Sequence, residues 1–208
     1  MVRLKICGIT NWRDAQMCID AGADLLGFNF YQRSPRYIKA NDAARIIRRL
    51  PRRIEAVGLF VNAPISDVLR RASKADLSMI QLHGEENPAQ VARIAESYPV
   101  IKAFRVRTRL GSSLFKRFAQ ADCYLLDGFH AELRGGSGTR FNWRFAREAN
   151  RYGRIILAGG LTAENVGAAL KQAQPFGIDV CSGVESAPGK KDPAKLKAFA
   201  RAVRHAGN

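Results

Sequence analysis

The chain has 208 residues, enough for one domain with a sizeable core, and its 47% hydrophobic content is that of a globular protein. No apolar run reaches bilayer length, "MVRLKICG" has no apolar signal core, and Cys7, Cys18, Cys123 and Cys181 form neither a CxxC pair nor a zinc-spaced cluster, which excludes a spanning helix and points to reduced thiols in the cytoplasm. The net charge of +16 suits an anionic partner, nucleic acid or a small phosphorylated substrate, although stretches such as "ARIIRRLPRRIE" place arginines beside apolar helix positions and account for much of the charge as solvated surface.

The first apolar run, "VRLKIC" (2–7), is a strand candidate. Asn11 can cap the helix "WRDAQMCIDAG", which ends at Gly22. "DLLGFNF" (24–30) is the second strand, followed by "AARIIRRL", capped by Asn41 or Asp42 and stopped by Pro51. Then come "EAVGLFV" (55–61) with "ISDVLRRAS", and "LSMIQLH" (77–83) with "NPAQVARIAESY". "VIKAFRV" (100–106) precedes "GSSLFKRFAQA", and "DCYLLD" (122–127) precedes "NWRFAREANRY". "RIILAG" (154–159) leads into "TAENVGAALKQA" with Thr162 as its cap, and "GIDVCSG" (177–183) into "DPAKLKAFARAVRHA".

The strands are rich in Val, Ile, Leu and Phe, as strands buried on both faces are. Eight strands alternate with eight helices, with no linker or low-complexity segment between them. Such alternation predicts a parallel sheet, and eight units predict a closed (β/α)8 barrel, a single compact domain spanning 1–208. A doubly wound open sheet is the alternative, but no GxGxxG follows the first strand.

A barrel gathers its chemistry at the C-terminal ends of the strands. Side chains alternate along a strand, so Arg3, Lys5 and Cys7 share one face, and Cys123, Leu125 and Asp127 share one face of theirs. Cys7 and Asp127 can then both point toward the axis at the upper rim. The plain alternative for a free cysteine is a small buried hydrophobe. It serves for Cys18, Cys123 and Cys181, but less well for Cys7, which ends a strand and is followed by Gly8. For Asp127 the plain alternative is a loop residue or cap.

"LAGGLTAENV" and "DVCSGVES" end the last two strands, and barrels often bind phosphate there. Gly159, Gly160, Ser182 and Gly183 are therefore candidate phosphate contacts. Arg36, in "YQRSPRYI", can fork onto a carboxylate or phosphate, and His83 ends the fourth strand; solvated and structural roles are the plain alternatives for these two. "GGSGTRFNW" has the composition of a loop over the rim.

"KICGIT", "GFNFYQRSPRYI", "VGLFVN", "IQLHGEE", "LLD…GGSGTRFNW", "LAGGLTAENV" and "DVCSGVESAPGKKD", in this order from Lys5 to Asp192, together resemble the phosphoribosylanthranilate isomerase family of tryptophan biosynthesis. "GFHAELR" (128–134) matches nothing in that pattern, and Asn142 stands where an aspartate is common. The resemblance implies an Amadori rearrangement of N-(5-phosphoribosyl)anthranilate to 1-(2-carboxyphenylamino)-1-deoxyribulose 5-phosphate. It implies Cys7 as general base, Asp127 as general acid, backbone amides around Gly159–Gly160 and Ser182–Gly183 on the phosphate, and Arg36 at the anthranilate end. It implies no metal and no cofactor, in a monomer or homodimer.

An ordinary thiol titrates near ~8.5, so nearby positive charge would favour the thiolate of such a base; Lys5, on the same face, is one source. The related aminoaldose isomerase of histidine biosynthesis is a rival on the same barrel, but a carboxylate would be expected where Cys7 stands. A basic nucleic-acid-binding protein is the rival from another class. No nucleic-acid-binding motif supports it, and the arginines are dispersed rather than interleaved with aromatics. Nucleic acid and membrane are therefore not expected partners.

Overall fold

The computed structural model describes residues 2–106, 108–128 and 142–206. Eight strands form one closed parallel barrel in chain order: β1 (Arg3–Cys7), β2 (Leu25–Asn29), β3 (Glu55–Phe60), β4 (Met79–Leu82), β5 (Val100–Val106), β6 (Cys123–Gly128), β7 (Ile155–Ala158) and β8 (Gly177–Val180). Between and after them run α1 (Trp12–Asp20), α2 (Ala40–Ile47), α3 (Ile65–Ala75), α4 (Pro88–Ala95), α5 (Ser112–Arg117), α6 (Trp143–Ala149), α7 (Val166–Ala173) and α8 (Pro193–Ala206). The predicted (β/α)8 alternation is the observed one. Most of "GFHAELR" and of "GGSGTRFNW" lies outside the described residues. Among the described residues no helix is long and apolar enough to cross a membrane.

Side-chain caps explain four of the eight helix starts, those of α1, α4, α6 and α8. Asn11 Oδ1 accepts from Asp14 N at 2.9 Å, and Asn87 with Gln90 closes a reciprocal capping box behind Pro88. Asp192 Oδ1 accepts from Ala194 N and Lys195 N at the start of α8. Two expected caps differ. The N-cap of α2 is Lys39, without a side-chain bond, rather than Asn41 or Asp42. α7 starts at Val166, because Asn165 Oδ1 captures Thr162 N at 2.8 Å and holds that turn out of the helix.

The strand pattern divides the interior into two layers. Leu25, Val57, Ile101, Leu125 and Ile156 pack inside the barrel. Ile6, Leu26, Phe28, Phe60 and Leu126 alternate with them and pack against helix residues such as Ala15, Cys18, Val68 and Val91. Beyond β8 the chain makes a 3₁₀ turn (Ser182–Val184) and an antiparallel hairpin, β9 (Glu185–Ala187) and β10 (Lys190–Lys191), before α8.

The outer layer contains one buried ion pair that shapes the rim. Lys102 Nζ lies 2.7 Å from Glu86 Oε2 and 2.8 Å from Gly84 O, while Glu86 Oε1 accepts from Asn62 N at 2.9 Å. Both charged side chains are almost fully buried. This pair ties the loop after β4, which begins at His83, to β3 and β5. Removing one partner strands a buried charge. Lys102→Met should lower unfolding free energy by about 3 kcal/mol in urea titrations, and a loss well under ~1 kcal/mol would show that water reaches Glu86.

Candidate active site

A pocket of about 290 Å³ opens at the C-terminal end of the barrel. It is lined by Cys7, Arg36, His83, Asp127, Gly159, Gly160, Ser182 and Gly183, together with Asn29, Gln81, Asp179 and Cys181. The eight candidate site residues of the sequence therefore converge on one cavity. Another cavity, about 200 Å³, opens at the opposite end around Arg3, Met79, Cys123 and Phe176, the end that in barrels serves stability.

Cys7 closes β1 and is 5% exposed. Its neighbour across the β1–β2 pairing is Gly27, and a Cβ there would stand 2.7 Å from Cys7 Sγ. The thiol thus occupies space that only a glycine leaves free. A hydrogen bond with the Cys181 thiol, followed by the cations of Lys5 and Lys191, holds the Cys7 thiol well below its ordinary range against the opposing effect of burial. Cys181, with its sulfur 3.7 Å from Glu185 Oε1, is shifted upward by the same contact with Cys7 and by burial. The expectation that Cys181 is merely a small buried hydrophobe needs correction: it is half-buried and sits in the pocket beside Cys7. Cys18 and Cys123 fit that expectation, with burial pushing them up to about 12 and about 11.

Beneath Cys7, Lys5 Nζ stands 2.9 Å from Asp179 Oδ2, both groups buried inside the barrel. Burial lifts the Asp179 carboxyl to about 7, while Lys5 draws it down. The lysine whose face was shared with Cys7 is therefore in place as a nearby cation.

Asp127 is the penultimate residue of β6, across the pocket, with its side chain 32% exposed. His83 Nε2 lies 3.3 Å from Asp127 Oδ2, and Gln81 Nε2 lies 2.9 Å from His83 Nδ1. With the Gln81 amide assigned in this orientation, Nδ1 accepts and Nε2 carries the hydrogen directed at Asp127. Gln81 Oε1 is buried and has no hydrogen-bond partner among the described residues. Arg36 reaches the pocket, but its fork is not free. Nε and Nη2 both donate to Glu185, at 2.6–3.0 Å, and Nη1 is the nitrogen with no such bond among the described residues.

The glycine-bearing ends of β7 and β8 meet at this rim. Gly159 and Gly160 have φ of 90° and 61°. Asn165 Nδ2 donates to Gly160 O at 2.8 Å and pins the first loop. A Cβ on Gly183 would stand 1.9 Å from Leu161 O, so Gly183 is required where the two loops touch. The N–H groups of Gly160 and Leu161 have no acceptor among the described residues. Among the described residues no group of three or more His, Cys, Asp or Glu side chains is disposed to hold a metal ion.

A family model described as N-(5'phosphoribosyl)anthranilate (PRA) isomerase matches residues 4–202. The chain belongs to that family. The N-(5'-phosphoribosyl)anthranilate isomerase of Pelobacter propionicus is 46% identical over 204 residues, covering 98% of this chain and 96% of that one. The crystal structure of the Thermotoga maritima phosphoribosyl anthranilate isomerase superposes with a TM-score of 0.88 at 42% identity, covering 99% of this chain and 100% of that one. A phosphoribosyl anthranilate isomerase in complex with reduced 1-(o-carboxyphenylamino)-1-deoxyribulose 5-phosphate superposes with a TM-score of 0.85 at 39% identity, covering 99% and 100%. Within this isomerase family the pocket at the strand C-termini is the place to seek substrate, and Gln81, Asp179, Cys181 and Glu185 are the residues around it that sequence reasoning missed. Asp179 lies on β8 and Cys181 directly follows that strand, two positions on, and that period of two was the one signal available for both.

The electrostatics imply an order of thiol reactivity. The thiolate is the nucleophile, so a lowered thiol reacts at lower pH and a raised one at higher pH. In native protein at mildly alkaline pH, iodoacetamide should modify Cys7 before Cys18 or Cys123, as read by peptide mass mapping. Modification of Cys18 or Cys123 ahead of Cys7 would contradict the charge environment described.

Proposed function

We propose that this isomerase rearranges N-(5'-phosphoribosyl)anthranilate by general acid–base catalysis, with Cys7 as base and Asp127 as acid. The observation that carries the assignment is a thiol and a carboxylate on separate strands facing one pocket whose far side is a pair of glycine-bearing loops. The carboxyl group of Asp127 gives its proton to the furanose ring oxygen as the C1′–O bond breaks. The nitrogen lone pair forms the iminium, which acidifies the C2′ proton. The Cys7 thiolate takes that proton, leaving an enolamine that tautomerises to the ketone. His83, fixed by Gln81, aims its Nε2–H at Asp127 and sets the direction of the carboxylate.

The remaining groups fit the two ends of the substrate. The amides of Gly160 and Leu161, without acceptors among the described residues, suit the phosphate together with the turn at Ser182–Gly183. Arg36 Nη1 suits the anthranilate carboxylate. Binding at these remote ends holds the ribose between base and acid. We assign the enzyme to the cytoplasm, which suits its four free thiols.

Cys7→Ala and Asp127→Asn should each lower kcat by roughly a hundred- to ten-thousandfold with a much smaller change in KM. Near-normal turnover in either variant would remove the corresponding role. Inorganic phosphate should compete with substrate, giving a rise in apparent KM at unchanged kcat. Purely noncompetitive inhibition would displace the phosphate from the β7–β8 loops. Gly183 substitutions are a poor probe of this contact, since a side chain there collides with Leu161 before any ligand is involved.

A further inference from the structure

The last strand of the hairpin delivers a second buried lysine to the site. Lys191 is 2% exposed, yet lies on a strand outside the barrel sheet. Its Nζ donates to Cys7 O at 2.5 Å, to Glu185 Oε1 at 3.1 Å and to Cys181 O at 3.5 Å. Its backbone N–H is held by Asp14 Oδ2 at 2.8 Å, from the first turn of α1. The hairpin turn is anchored as well, with Thr10 Oγ1 donating to Gly189 O at 2.8 Å. Nothing in this arrangement leaves the ammonium free to move away from the end of β1.

We propose that Lys191 is a positioning residue for Cys7: its ammonium grips the carbonyl of that residue, fixes the end of β1, and places a positive charge against it. The reading rests on Cys7 as the base. The charge count supports it. Glu185 and Asp14 are two carboxylates facing Arg36 and Lys191, and Lys195 Nζ donates to Glu185 O at 2.7 Å, so three cations stand against two anions and the cluster carries one positive charge in excess. Lys5 and Asp179 form the opposing pair below, and His83 and Asp127 face from β4 and β6. Cys181 adds a neutral thiol. Lys5, Arg36 and Lys191 each pair with a carboxylate, and Lys191 in addition donates to the backbone of Cys7 itself. A buried charge is costly unless its place is specified, and here every donor of the ammonium is used to specify it.

The test compares Lys191→Met, Lys191→Arg and Glu185→Gln in the full chain. The ultraviolet thiolate absorbance of Cys7, taken against Cys7→Ala, is titrated beside the pH profile of kcat/KM. Lys191→Met should raise the thiolate midpoint by on the order of one pH unit, with activity recovering as pH rises. Lys191→Arg should return the midpoint most of the way. Glu185→Gln removes the carboxylate between Arg36 and Lys191 and should move the midpoint down, opposite to Lys191→Met. If Lys191→Met does not fold, the direction given by Glu185→Gln decides. An unmoved midpoint with a rate loss equal at every pH, or a shift of the same sign in both variants, overturns the proposal. The absorbance reports Lys191 whether or not Cys7 is the base. A rate profile that ignores the Cys7 midpoint overturns the base assignment alone.

Discussion

Everything at the upper rim depends on how β1 joins β8. Arg3 pairs with Gly177, Leu4 with Ile178, Lys5 with Asp179 and Ile6 with Val180. This register sets an ammonium directly opposite a carboxylate inside the barrel, where the two meet at 2.9 Å. A slip by one residue would turn Lys5 onto the apolar layer beneath the helices and Ile6 into the interior. Each misplacement strands a charge or loses a packed side chain, so the ion pair penalises the wrong closure more than it stabilises the right one. With that register fixed, Cys7 ends beside Cys181, and the loop after β8 starts at the level of the pocket.

The pocket is then a balance of fixed charges around Cys7 and Asp127. On one side, cations from β1, from the loop after β2 and from the hairpin surround a thiol that burial alone would keep neutral. On the other, a carboxylate at a more open position meets one imidazole hydrogen. The asymmetry suits the acid and base roles proposed for the two groups, which would act at different atoms of one sugar. Preorganised charge of this kind needs no motion at the moment of reaction.

The barrel was legible in the sequence because its signals are local: apolar runs of strand length, caps such as Asn11 and Asn87, and stops such as Pro51. The rule that chemistry gathers at strand C-termini then picked out Cys7 and Asp127, and the glycine pairs picked out the β7–β8 loops. What stayed hidden is set by contacts distant along the chain. Lys191 meets Cys7 across 184 positions, and Arg36 meets Glu185 across 149. Neither spacing repeats anything, and "GKKD" looks like an ordinary solvated turn. Gly27 was invisible for a related reason, since its need arises from a sulfur on the neighbouring strand. Thr162 misled because a cap chosen by residue type competes with the side chain of Asn165 three positions on.

The closing pair also has a schedule. During synthesis β1 emerges first and β8 nearly last, at roughly 5–20 residues per second. For on the order of ten seconds or more the nascent chain holds β1 with one edge unpaired and the Lys5 ammonium without its carboxylate. A strand edge of "LKIC" in that interval is far less sticky than an all-apolar one, because joining it to a foreign strand would bury an unanswered charge. Lys5 thus guards the open half-barrel against the wrong neighbour until Asp179 arrives.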